Sequence, residues 1–419
     1  MSNSIQQTDS AGAGSYRLAL ERVTAGALAE ALALHRQAAE LGHIDAQVEL
    51  ARMLLFGVAA APEPLQAIAW LTRAESAGNT AAGYVLAQIA TGDTLVALDA
   101  EADARLLRAV AVRHPLALRA AALVFARKPH AQSQKLATQL LQAAATRGDF
   151  VAAQLLAERR AAGSGCMPDA SASHTLWNQL AQGGTPRLPR VSVDEDAQSL
   201  ADSGADDAQA LDLRSYLRTP PATTLSTLPA VRQVRGLFNA EECRLLIATA
   251  RPLLHPSRTV DPGTGQPVTM QLRTSHDAHF DVMHEDLALR LVQARMAAAA
   301  EMPLDQAEQL IVLRYEPGQE YRPHRDYLPP ESMERDRPGA GNRSRTICVY
   351  LNDVDAGGAT TFPHANLRIE PRAGDAIVFD NLDVSGTPDT TSLHAGLAVE
   401  RGVKWLATLW FRQRPYRYF

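Results

Sequence analysis

Between about Ala25 and Gln182 one short pattern returns every 34 to 36 residues: an Ala/Leu-rich stretch with helical spacing, a glycine, then a second such stretch. It reads AAELGHIDAQVELA around Gly42, RAESAGNTAAGYVLA around Gly78 and LQAAATRGDFVAAQLLA around Gly148. A step of 36 from Gly78 lands on His114 in AVRHPLALRAAALVFA, and a fifth, degenerate unit ends at Gly183. Glycine just past a helix accepts the left-handed backbone that a side chain disfavours. Each unit therefore reads as a helical hairpin, and hairpins of this size bury their apolar faces only against neighbours. The expectation for 25–183 is an all-α solenoid with a concave surface.

The pattern stops at Gly184. Residues 184–228 hold proline clusters, an acidic stretch and few large apolar side chains, which predicts a linker with a short helix near Asp206 to Tyr216. Residues 1–24, polar and rich in Ser, Gln and Gly at their start, read as a flexible N-terminus. Only seven of the 22 Phe, Trp and Tyr residues precede position 181; the rest accompany β-branched runs such as RTICVYLN and AIVFDN. Residues 229–419 therefore read as a second, α+β domain, with helices flanking an antiparallel sandwich or barrel. Its first helix is capped by Asn239 with Glu242 three residues on. A second runs from about Glu285 to Ala300 with Leu287, Leu291 and Ala294 on one stripe.

Charge narrows the function classes. Lys plus Arg total 41 against 46 Asp plus Glu, a net charge of −5, so no basic field draws the chain to nucleic acid or anionic lipid. Cys166, Cys243 and Cys348 lie far apart and make neither a disulfide framework nor a thiolate metal site. No basic n-region with an apolar h-region opens the chain, and no later stretch is apolar enough to span a bilayer. A soluble cytoplasmic protein is expected. Phosphate-binding, serine-hydrolase and H-E-x-x-H motifs are missing from the sequence.

The residues that could carry chemistry begin in LIVLRYEPGQEYRPHRDYL, 310–328, where His324 and Asp326 stand at i, i+2. On a strand that spacing sends an imidazole and a carboxylate to one face. His394 follows 68 residues after Asp326, and Lys404 ten residues later. Two histidines and one carboxylate make the facial donor set that holds non-haem Fe(II) and leaves positions open for substrate and O2. Such sites commonly take the keto and carboxylate oxygens of 2-oxoglutarate, whose far carboxylate then needs a cation. In VKWLATLWF, Lys404 shares a face with Leu406, Thr408 and Trp410. A lysine on an apolar strand face is costly unless an anion pairs with it.

With those residues in view, 232–419 resembles the prolyl 4-hydroxylase catalytic domain of the 2-oxoglutarate- and Fe(II)-dependent oxygenases. The segments that carry the likeness, in order, are LFNAEECRLLI, LRTSHDAHF, RYEPGQEYRPHRDYL, RTICVYLNDVDAGGATTFP and GDAIVFDNLDVSGTPDTTSLHAG, then GVKWLATLWFRQRPY. The N-terminal units resemble the Sel1-like subgroup of tetratricopeptide-type repeats, with Trp70 at an aromatic position. The resemblance implies a double-stranded β-helix, or jelly roll, with His324, Asp326 and His394 as iron ligands and Lys404 on the C5 carboxylate of 2-oxoglutarate. It implies Tyr315 and Thr360 in the same pocket, with Thr361 an adjacent alternative of the same type. Arg273, Ser275, Tyr321, Arg343 and Trp410 would face a peptide substrate.

The activity so implied is hydroxylation of a protein or peptide, at proline C4, coupled to decarboxylation of 2-oxoglutarate to succinate, with O2 as oxidant and ascorbate as companion. The helical repeats would dock the substrate or a partner. Two alternatives stay open: the same chemistry on another side chain or a free amino acid, and a repeat scaffold whose oxygenase domain only binds. The Pro/Gly/charge-rich stretch 328–344 reads as a mobile lid. His276, His279 and His284, without a carboxylate at ligand spacing on their element, read as surface or helix-start residues.

Overall fold

The computed structural model describes residues 2–193, 207–257, 259–260, 267–268 and 273–419, with side chains over 12–193, 207–257 and 273–419. Packing divides the chain into two units, 1–117 with 418–419, and 118–417. The first unit is helical throughout: Ser2–Thr24, Leu28–Glu40, Ile44–Phe56, Pro64–Ser76, Thr80–Ala90 and Ala100–Ala111, each packed on the next. Ala31, Ala38, Ala46, Ala67 and Ala82 are fully buried, and their small side chains let the helices approach closely. The stretch expected to be a flexible N-terminus is the helix Ser2–Thr24, packed along Leu28–Glu40.

The repeat signature is sharper in three dimensions than in the sequence. Gly42, Gly78 and Gly148 have φ of 92°, 93° and 86°, as a left-handed helix stop requires. The next residue caps the following helix: His43, Asn79 and Asp149 accept the backbone N–H of Ala46, Ala82 and Ala152. In the third unit the left-handed residue is Arg113 (φ 59°), not His114. His114 takes the capping place, with Nδ1 3.4 Å from the Ala117 nitrogen. At the last unit Gly183 has φ −86° and Gly184 is the left-handed residue. The stops therefore fall at Gly42, Gly78, Arg113, Gly148 and Gly184, in steps of 36, 35, 35 and 36.

The second unit joins the helices Ala131–Ala145, Phe150–Ala162 and Ala170–Gln182 to an eight-stranded and a four-stranded antiparallel sheet, with two short two-stranded pairs. The larger sheet runs Ala222–Thr227, Ala230–Val234, Ala376–Asp380, Arg343–Tyr350, Lys404–Arg412, Leu310–Tyr315, His276–Phe280, His255–Pro256. The smaller runs Leu367–Ile369, Thr360–Phe362, His394–Gly396, Tyr321–His324. Ile311, Leu313, Tyr350, Phe362, Phe379 and Leu406 form part of one apolar cluster contributed by both sheets. This is the expected jelly roll, preceded along the chain by an all-α repeat region.

Three local features differ from expectation. Within 184–228, the strand Ala222–Thr227 pairs with Ala230–Val234 and extends the larger sheet, and the short helix is Leu213–Tyr216; residues 194–206 lie outside the described part. The helix Leu287–Ala300 starts after Asp286, which caps it, and is buried on nearly every side rather than along one stripe. Its fully buried Arg295 donates to the carbonyls of Tyr216, Arg218 (2.6 Å) and Leu237 (2.8 Å), which offsets the cost of burying the guanidinium. Packing also does not follow the expected boundary at 183. Arg159 pairs with Glu241 (2.8 Å), Arg127 with Glu242 (3.0 Å), and Arg119 with both Asp149 (2.6 Å) and Asp286.

Candidate active site

Two neighbouring strands of the smaller sheet bring the histidines together. His324, the last residue of Tyr321–His324, is the direct antiparallel partner of His394, the first of His394–Gly396. Asp326 lies past the strand end, in a bend, so the i, i+2 convergence is made by that turn and not by an unbroken strand. Asp326 Oδ1 is 3.5 Å from His324 Nε2 and Oδ2 is 3.8 Å from His394 Nε2, with one ligand atom from each residue inside a 4.8 Å triangle.

Backbone carbonyls decide the tautomers. His324 Nδ1 donates to the Arg322 carbonyl (2.8 Å) and His394 Nδ1 to that of Ser392 (3.0 Å), leaving both Nε2 lone pairs turned to Asp326. Burial pushes His394 down to about 4, against the pull of Asp326. Burial would raise the Asp326 carboxyl, but the two imidazoles and Arg343 hold it well below the usual carboxylate range. Two imidazoles whose Nε2 atoms flank an ionised carboxylate are a donor set that fits a divalent first-row metal.

The sequence reading missed what aims Asp326. Thr346, in the strand Arg343–Tyr350, donates to Oδ2 at 2.8 Å, and Asn381 Nδ2 donates to Thr346 Oγ1 at 2.9 Å. Neither carries a motif, since their role comes only from the pairing of Phe379 with Thr346 across the sheet.

Lys404 sits at the other end of the same cavity. It is the cross-strand partner of Tyr315, and Lys404, Leu406, Thr408 and Trp410 all line the wall, as their alternation predicts. Lys404 is 2% exposed and its ammonium donates to the Gly358 carbonyl at 2.7 Å; no described residue gives it a salt-bridging carboxylate. Burial pushes it down to about 8. The carbonyl it uses is available because Gly357 and Gly358 run at φ 76° and 74°, and a Cβ on Gly357 would lie 2.4 Å from the Ala398 oxygen. Tyr315 lines the cavity, as does Thr360, which accepts the Tyr350 hydroxyl at 2.8 Å; Thr361 is not in the wall.

The five residues assigned to a substrate separate into two groups. Arg273, Tyr321 and Trp410 line the cavity, and the Tyr321 ring stacks on His324 with centroids 3.4 Å apart. Ser275 and Arg343 do not line it. The Ser275 hydroxyl bonds Ser257 (2.8 Å), and Arg343 is gripped by Glu308 through two 2.7 Å contacts while its guanidinium lies 3.8 Å from the Trp410 ring centre. Arg343 thus backs the wall that Trp410 forms. The stretch 328–344 carries a short helix, Pro330–Arg335, and is fastened at its base by Asn342, which both accepts from and donates to the Leu328 backbone (2.7 and 3.0 Å).

A jelly roll with this triad at one end of its cavity and a buried ammonium at the other defines an iron- and 2-oxoglutarate-type oxygenase, and residues 310–412 match the 2OG-Fe(II) oxygenase superfamily. The probable prolyl 4-hydroxylase 10 of Arabidopsis thaliana is 34% identical over 212 residues, covering 46% of this chain and 72% of the relative. Prolyl 4-hydroxylase 1 of the same plant is 34% identical over 206 residues, 45% of this chain and 71% of the relative. The chain belongs to the prolyl 4-hydroxylase family. Among solved structures, the viral collagen prolyl hydroxylase of Paramecium Bursaria Chlorella virus-1 is 26% identical with a TM-score of 0.35, covering 43% of this chain and 95% of that one. A Sel1 repeat protein from Oxalobacter formigenes is 21% identical with a TM-score of 0.38, covering 42% and 74%.

Proposed function

We propose that the protein hydroxylates proline in a protein or peptide substrate, at C4, with 2-oxoglutarate and O2 as co-substrates and iron(II) held by His324, Asp326 and His394. The observation that carries this reading is the pairing, in one cavity, of two carbonyl-oriented imidazoles beside a carboxylate with a buried ammonium that has no carboxylate partner among the described residues. Iron(II) bound there supplies the oxidation, in which 2-oxoglutarate loses CO2 to become succinate and one oxygen atom reaches the substrate carbon.

The chain's own residues bind and orient. Lys404 neutralises the distal carboxylate of 2-oxoglutarate, with Tyr315 and Thr360 beside it. Ile377, Phe379 and Leu406 keep that wall apolar, which strengthens the ion pair by excluding water. Tyr321 holds the His324 ring by stacking. Trp410 adds an aromatic face to the wall, and its buried indole N–H makes no hydrogen bond among the described residues. Ascorbate as a companion reductant, a cytoplasmic location and docking of the substrate by the helical repeats complete the proposal. Support for a reducing compartment comes from Cys166, Cys243 and Cys348, all free; no described helix is long and apolar enough to cross a membrane.

Proline-containing peptides incubated with the chain, Fe(II) and 2-oxoglutarate should gain one oxygen by mass spectrometry in step with succinate release, and Asp326→Ala should abolish both. Turnover of free proline with no gain on any peptide would replace the reading.

A further inference from the structure

At the edge of the larger sheet stands a second set of metal-type donors that the oxygenase site does not use. Asp277 and His279 point to one side of the strand His276–Phe280, and His255, on the edge strand, is the direct partner of Asp277. The carboxylate that the sequence reading did not find beside these histidines is Asp277 itself. We propose that His255, Asp277 and His279 form a divalent-cation site suited to zinc(II), separate from the triad.

The spacing fits. Asp277 Oδ1 lies 3.1 Å from His255 Nδ1 and 3.3 Å from His279 Nε2, and the three atoms fall within 4.8 Å of one another. Tetrahedral zinc with bonds of about 2.0–2.1 Å separates neighbouring ligand atoms by roughly 3.3 Å. Asp277 is fully buried, and no described donor meets Oδ1 with good hydrogen-bond geometry, although Ser257 and His279 both favour the ionised carboxylate. The second oxygen, Oδ2, accepts from Arg273 Nη2 at 2.6 Å, so a guanidinium orients the carboxylate and leaves Oδ1 to the imidazoles, as outer-shell partners do at metal sites. His255 Nδ1 also lies 3.3 Å from the Pro256 carbonyl, a contact the metal would replace. The side chains of His255 and His279 are 54% and 41% exposed, which gives an ion a path from solvent and leaves room for a water as fourth ligand. The rival arrangement is an imidazolium–carboxylate cluster that binds no metal.

The test counts zinc on the untagged full-length chain, stripped with chelator and dialysed against dilute zinc(II). Wild type should retain two equivalents, His279→Ala and His255→Ala one each, His394→Ala one, and the His279→Ala/His394→Ala pair none. The equivalent kept by each single variant reports that it is folded. One wild-type equivalent that is lost in His279→Ala but kept in His394→Ala would support this site and count against the triad instead. Two equivalents in both His279→Ala and His255→Ala, or a single wild-type equivalent lost in His394→Ala, would overturn the proposal.

Discussion

Asp326 owes its aim to a threonine 20 residues away, and that dependence is measurable. Thr346→Val keeps the shape but removes the hydroxyl that donates to Oδ2. Metal affinity should fall by about 10- to 100-fold, read by titration with Fe(II) or Mn(II), and Thr346→Ser should restore most of it. Lys404 sets a pH limit of its own. The folded protein releases this proton near pH 8, whereas the ordinary value is 10.5. Folding therefore becomes more favourable as pH rises between those values, while the co-substrate's distal carboxylate loses its cation over the same interval. The dissociation constant of 2-oxoglutarate should be flat below pH 8 and weaken by up to about tenfold per unit above it; a flat profile to pH 9.5 would show that the ammonium is not its partner. His324, His394 and Lys404 were legible because each lies in a run whose neighbours fix its strand face, whereas Asp326 converges on them through the bend after His324. Arg343 and Ser275, expected to face a substrate, do not line the cavity; an arginine against Glu308 and an arginine against a substrate look alike in one dimension.

Among elements, the helical hairpins show how a repeat tolerates a departure from its own rule. Arg113 occupies the left-handed stop that glycine fills at Gly42, Gly78 and Gly148, at a backbone cost of about 1–2 kcal/mol. Arg113 is exposed, so Arg113→Gly should raise stability by roughly 1 kcal/mol, seen as a higher urea midpoint with unchanged slope. A destabilised variant would mean that the arginine side chain contributes something the backbone argument omits. The one-residue slip in reading this unit arose because His114 looked like the odd member of a glycine series, whereas it belongs to the capping series of His43, Asn79 and Asp149. The helix Leu287–Ala300 differs for another reason: the stripe of Leu287, Leu291 and Ala294 marks one buried face, but carbonyls from remote segments accept from Arg295 and let it too lie inside the core.

For the whole molecule, secondary structure and packing draw different lines. The helices beyond Leu118 share a unit with the jelly roll, and buried pairs from Arg119, Arg127 and Arg159 to Asp286, Glu242 and Glu241 bind them to it. Removing one partner of a buried pair costs about 3–5 kcal/mol. A chain starting at residue 184 should therefore unfold at a clearly lower urea midpoint than one starting at residue 114, which keeps all three arginines. Equal midpoints would show that the jelly roll stands without them. The sequence alone determined that this protein is an all-α repeat followed by a jelly-roll oxygenase, and singled out four residues that line one cavity, because periodicity, spacing and strand alternation are local and survive in one dimension. Only tertiary structure decided where the packing boundary falls, which residues aim Asp326, and that His255 meets Asp277, because those contacts join segments whose nearness is set by sheet pairing and buried charge, not by their order along the chain.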